Sequence, residues 1–335
     1  MLCATKKEGF SMSYVDYTYA VARIRAMEMT LFSSATIEQL MGMKSYESCL
    51  QFLVEKGWGD TNTPLEAEAI LVKETEKTWQ VVRELLKDKQ DVLDVFSYQK
   101  LFHNLKSAIK ESITSDSHGN IYFDDCSIDG ATMAKIIKEK DFAALPDFMR
   151  EAAKEAYESF LHTRDGQLCD IIVDHAALVA IYETGKKAED SMIRDYAESI
   201  VAVANIKIAV RSQKTAKSLD FMKRAMAQCD SLNIERLMMA TLSGIDAICE
   251  YLLGTKYAEG AEALKLSPSA FECWCDNQLI ETIKPQKYNP FSVGPLVAYV
   301  LARQNEIKTV RMILTGKLND LPEEQIRERI REMYV

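Results

Sequence analysis

The side chains best placed for chemistry are Asp170, Asp174 and His175. Asp170 and Asp174 stand four positions apart, so a helix brings both carboxylates to one face, where they could share a proton or hold a cation. A helical enzyme using this acid pair is one reading. A solvated or partner-facing helix surface is the other, because no third ligand lies nearby. His103, His118 and His162 fall into no HExxH or paired-ligand spacing, and His118 reads as solvated in a turn. The chain has no GxxxxGK[ST] phosphate loop, no GxGxxG and no GxSxG elbow. Gly294-Pro295 opens a helix whose N-terminus could face an anion, but one terminus is not a nucleotide site. The eight cysteines include no CxxC; only Cys273 and Cys275 are close, so buried free thiols in a reducing compartment are expected.

The elements that would carry these groups are helices. Tyr14, Tyr17, Val21, Ile24, Glu28 and Leu31 fall at three- and four-residue steps. Thr63-Pro64-Leu65-Glu66 predicts a capped helix start, with Leu65, Val72, Trp79, Val82 and Leu86 on one face. Leu101, Leu105, Ile109 and Ile113 mark a third helix. Ser115–Asn120 predicts a surface turn. Helices are expected over Ser127–Glu139, Pro146–Leu161, Gln167 to a stop at Gly185, and about Ala188–Ser212. Shorter ones fill 214–275. Two more run from Pro295 to a stop at Gly316 and from about Leu321 to Tyr334. The Met-rich run Arg236–Ala240 reads as core or a sticky surface. No strand pattern is present.

Composition agrees. Among 335 residues there are only 13 Gly and 7 Pro, which argues against a sandwich or barrel. The net charge of −9 argues against nucleic acid as the main partner. The N-terminus lacks an apolar signal core, and no apolar run approaches the ~20 residues of a membrane span, so a soluble intracellular protein is expected.

A repeat emerges along the helices. Asn104-Leu105-Lys106, with Lys110, resembles Asn205-Ile206-Lys207, with Arg211; Asn305, with Lys308 and Arg311, follows at nearly the same interval. Each asparagine has a cation six residues later, near the end of a long helix. This spacing suggests three similar units of about a hundred residues. We place them at 1–115, 116–215 and 216–335.

The two ends carry a resemblance. Gly294-Pro295, Leu296–Tyr299, Glu306-Ile307-Lys308, Arg311–Lys317, Ile326–Arg329 and Tyr334-Val335 closely resemble the C-terminal signature of the C subunit of V/A-type ATPases, known as the d subunit in eukaryotes. Tyr19–Glu28 and Ile37–Leu40 resemble the opening helices of the same family. The chain departs from the family at Gln304, usually acidic, and near Trp58, commonly Tyr. The middle matches as helix pattern and length.

The resemblance implies an all-α, funnel-shaped assembly of three similar helical domains in a pseudo-three-fold arrangement. It implies a non-catalytic rotor component on the cytoplasmic face of the membrane, without nucleotide or other cofactor. Its partners would be the D and F subunits of the central stalk and the proteolipid ring; the ions would be protons or sodium. A general helical-repeat scaffold remains the alternative beside the enzyme. Residues 284–335 carry a net charge of +3, suggesting a basic face. Arg23, Arg25, Lys106, Lys207, Arg211, Lys308 and Arg311 are the candidate polar groups, meeting a partner or closing ion pairs between units.

Overall fold

The computed structural model describes residues 17–86, 93–114, 121–123 and 125–335. The positions proposed at Tyr14, Ser115–Asn120, His118 and Cys3 lie outside them. The described residues are all-helical, with 76% in helix and no strand. No described helix is long and apolar enough to cross a membrane.

The chain folds as two compact units. The first joins residues up to 87 with Ile283–Val335. It holds α1 (Thr18–Glu28), α2 (Ser34–Met41), α3 (Tyr46–Glu55), α4 (Ala67–Leu86), a 3₁₀ turn (Lys284–Tyr288), α15 (Gly294–Leu318) and α16 (Glu323–Arg327). α15 is the axis: it packs on α1, α2, α3, α4 and α16. At 1.5 Å per residue it is about 37 Å long, and it is buried on nearly every side. A helix surrounded in this way has no reason to be amphipathic. Ile37, Leu40, Leu53, Ile70 and Leu71 close around Val310, Ile313 and Leu314.

The second unit, Asp88–Thr282, contains α5 (Asp94–Thr114), α6 (Gly130–Glu139), a 3₁₀ turn (Phe142–Ala144), α7 (Asp147–Thr163), α8 (Gly166–Lys187) and α9 (Ser191–Lys214). It continues with α10 (Leu219–Ala225), α11 (Ile234–Ser243), α12 (Ile245–Leu253), α13 (Ala258–Leu266) and nearly all of α14 (Pro268–Ile283). α8 lies against α5, α7 and α9; α11, α12 and α13 pack in succession, with α11 also on α9. Side-chain caps set most starts. Asp165 accepts from the N–H groups of Gln167 and Leu168, Asp190 from Met192, and Asn233 from Arg236.

Four expectations need correction. Thr63 does not cap α4. Its hydroxyl donates to Asp60 Oδ1 at 2.8 Å and accepts from the Asp60 N–H, so 63–66 is a turn and the helix starts at Ala67. Leu65 and Val72 are consequently exposed, while Ile70 and Leu71 face the core. Gly185 and Gly316 do not stop their helices. They are contact points, where a Cβ would meet Ala197 Cβ at 2.1 Å and Ile326 at 2.6 Å. The last helix is only Glu323–Arg327; the chain then runs as an irregular strap to Val335, burying Met333 and Tyr334.

Candidate functional site

The three repeated asparagines each donate to a backbone carbonyl from a long helix, and the first two also accept an N–H from the same residue. Asn104, fully buried on α5, donates from Nδ2 to the Phe123 carbonyl at 2.7 Å and accepts the Phe123 N–H at 2.8 Å. Asn205, fully buried on α9, donates to the Ala227 carbonyl at 2.7 Å and accepts its N–H at 3.0 Å. Asn305 on α15 donates to the Glu332 carbonyl at 2.8 Å. A carboxamide pairs with a backbone as another peptide group would, so each asparagine satisfies an irregular segment brought against its helix. A sulfur accompanies two of them: Cys126 Sγ at 3.3 Å from Asn104 Nδ2 and Cys229 Sγ at 3.7 Å from Asn205 Nδ2.

The cations that follow pair with acids on a neighbouring helix. Lys106 reaches Asp174 at 2.8 Å and Lys110 reaches Asp170 at 2.5 Å, both on α8. Lys207 and Arg211 both reach Glu272 on α14, at 3.0 and 3.4 Å. Arg311 on α15 pairs with Glu68 on α4, Nη2 standing 3.2 Å from Oε1. Asp170 and Asp174 are therefore engaged one by one with lysines. His175 is turned to the backbone of Ala225 and Met226, and burial lowers its pKa.

Arg25 is tied down inside the first unit. Its Nη1 meets both Glu28 oxygens at 2.8 Å, and Nη2 donates to the carbonyls of Gln286, at 2.5 Å, and Asn289, at 2.9 Å. Arg23 and Lys308 are exposed. The basic face expected over 284–335 is partly consumed: Arg303 and Arg331 are buried, and Arg311 is paired.

The groups that sequence reasoning missed form a buried charge network. Arg303 donates to Glu306 Oε2 at 2.6 Å and to Glu74 Oε2 at 3.2 Å. Glu306 also accepts the Phe32 N–H at 2.5 Å. Glu74 accepts from the Gly59 N–H at 3.0 Å and from Lys77 at 2.7 Å. Arg303 lies 5.3 Å from the Trp58 ring centroid, and Trp58 stacks on Phe32. Burial pushes the Glu306 carboxyl above its usual range, against the pull of Arg303. The available signal was Arg303 and Glu306 one turn apart, straight after the apolar run Pro295–Ala302.

Among the described residues no group of His, Cys, Asp and Glu could hold a metal ion. Burial pushes the Cys169 and Cys229 thiols up to about 11, which suits packing rather than reactivity.

Paired buried asparagines, ion pairs between helices and a charged core describe a helical protein whose polar groups hold helices in register. The family follows from comparison: residues 20–329 match the ATP synthase (C/AC39) subunit family, and the chain belongs to it. It is 23% identical to the C subunit of the V-type sodium ATPase of Enterococcus hirae, over 93% of this chain and 97% of that one. It is 24% identical to the C subunit of the A-type ATP synthase of Methanocaldococcus jannaschii, over 93% and 85%. The C subunit of the V-type ATP synthase of Thermus thermophilus is 19% identical, over 94% and 98%. The resemblance found at the two ends thus extends over nearly the whole chain.

Proposed function

We propose that this chain is the socket of a V/A-type rotary ATPase, joining the D and F subunits of the central stalk to the proteolipid ring. It works at the cytoplasmic face, carries torque between the ATP-hydrolysing head and the ion-translocating ring, and performs no catalysis itself. The observation that carries the reading is the family match over residues 20–329. Three similar units, grouped as a funnel around the stalk, fit the asparagine clamps at positions 104, 205 and 305.

The physics of the parts suits this role. A torque-bearing adaptor must resist shear, and close-packed helices transmit strain. Ion pairs between helices add geometric register even where solvent limits their energy. Lys106, Lys207, Arg211 and Arg311 serve in this way, Arg25 fixes a turn, and Arg23 and Lys308 face outward to partners.

Co-purification tests the proposal. A tagged copy expressed with the D, F and ring subunits should retain both stalk and ring through a moderate-salt wash. If the protein elutes alone while its partners assemble with each other, the socket reading is overturned.

A further inference from the structure

α1 has little to hold it as a helix on its own. Its 11 residues fall short of the ~12–15 below which an isolated helix is marginal in water. Tyr17 at its N-cap position makes no side-chain cap, and its first turn carries no acid to meet the helix dipole. α2 and α3 start differently. Ser33 Oγ accepts the Thr36 N–H at 3.3 Å, and Ser45 and Ser48 form a reciprocal capping box. The helical state of α1 therefore depends on what the helix is fastened to.

α1 packs on α15, and its buried side chains are Ala20, Val21 and Ile24. None of the three belongs to the apolar cluster in which Ile37 and Leu40 of α2 and Leu50 and Leu53 of α3 join Val310 of α15. Toward Pro290 and Phe291, α1 borders an open hollow of about 260 Å³ rather than a packed contact. Arg25, which also lines the hollow, reaches across to the C-terminal piece of the unit. It donates to the carbonyls of Gln286 at 2.5 Å and Asn289 at 2.9 Å while gripping Glu28 at 2.8 Å. Tyr334 adds a longer hydroxyl contact to Glu28, at 3.4 Å.

The chain is anchored just past the end of α1. The Phe32 N–H donates to Glu306 Oε1 at 2.5 Å, and the Phe32 ring stacks on Trp58 within the apolar cluster. Met29 and Thr30, between the helix and this anchor, are exposed.

We infer that α1 is a latched arm, which opens about the corner at 29–31 with Arg25 as its latch while α2, α3 and α4 stay closed on α15. Opening the arm returns one guanidinium to water and uncovers Ala20, Val21 and Ile24. Opening α2 or α3 would expose the whole cluster around Val310, which is a far larger apolar surface. The arm gives the first unit two folded states, closed and arm-released. Both belong to the chain by itself, whether or not the socket reading stands.

Native-state hydrogen exchange of the full chain, followed by mass spectrometry over a series of low urea concentrations, tests the arm. Amides 21–28 should exchange at least about tenfold faster than amides 37–41 and 49–55, with a weaker urea dependence, because a local opening exposes little surface. Arg25→Met keeps the apolar stem and removes the fork. It should speed exchange of 21–28 roughly tenfold or more and leave 49–55 within about twofold. Exchange of 21–28 in the unaltered chain at the rate and urea dependence of 49–55 overturns the arm, because α1 then opens only with the whole unit. So does an Arg25→Met chain in which 21–28 is unmoved, or one in which both segments accelerate alike.

Discussion

Asn205 and Ala227 exchange two hydrogen bonds, side chain to backbone in both directions, at 2.7 and 3.0 Å, inside the second unit. The pair behaves as a single rung of β-ladder set into an all-helical protein. It lets the chain leave α10 and run irregularly beneath α9 without stranding a buried donor or acceptor.

Replacing that carboxamide should therefore be expensive. Asn205→Ala leaves the Ala227 N–H and C=O buried and unmet, for an expected loss of about 2–4 kcal/mol. Lys207→Ala, two residues away in a partly exposed ion pair, should cost below about 1 kcal/mol. Urea unfolding of the two variants checks the ordering. Equal losses would contradict the assignment of the clamp to Asn205.

The charged core makes a sharper contrast. Arg303→Ala leaves buried Glu306 without its cation, while Glu74 keeps Lys77 and the Gly59 N–H, and an expected ~3–5 kcal/mol is lost. Arg303→Met combined with Glu306→Leu and Glu74→Gln should restore much of that stability, because an apolar replacement removes the need for mutual solvation. Thermal unfolding monitored by circular dichroism would decide it. A triple variant weaker than the single one would show that the network holds more than its own charges.

Glu272 predicts a pH effect of definite sign. Burial works to raise its carboxyl pKa, but Lys207 and Arg211 outweigh burial and hold it below the usual range. A folded value below the unfolded ~4.3 means the contribution is complete above about pH 4.3 and is lost as pH falls through the folded value. Solvent access keeps it small. Carboxyl NMR should follow Glu272 directly, and Lys207→Met with Arg211→Met should raise its midpoint. An unmoved midpoint would mean that the two cations do not hold it.

Gly185 offers a steric test. A methyl there meets Ala197 Cβ at 2.1 Å, where α8 packs on α9. Gly185→Ala should cost about 1–3 kcal/mol despite its better helix propensity. Adding Ala197→Gly should recover part of the loss. A stabilised Gly185→Ala protein would show that the helices part freely.

Legibility in the sequence followed the type of interaction. The asparagine repeat was visible because a buried carboxamide needs a fixed place on a helix, and a cation recurs six residues after each one. Helix existence was readable from periodicity. Helix ends at Gly185 and Gly316 were not, because a glycine that admits a neighbouring helix looks the same in sequence as one that ends its own. The last helix was read from about Leu321 to Tyr334, but only Glu323–Arg327 is helical. The backbone after it goes instead to Asn305, a partner 27 residues away. The Arg303 network was hidden for the same reason: Glu74 lies 229 residues from its arginine, and nothing local marks an acid as destined for the interior.

The split composition of the first unit has a consequence for biosynthesis. Glu74 is made early and Arg303 late, with roughly 200 residues between the two pieces. At ribosomal speeds of ~5–20 residues per second, α1–α4 wait about 10–40 s for the helix they enclose. Throughout that interval the nascent chain holds an uncovered apolar surface, the one that Ile70 and Leu71 later close against α15. A translation product cut short before α15 would keep that surface uncovered permanently.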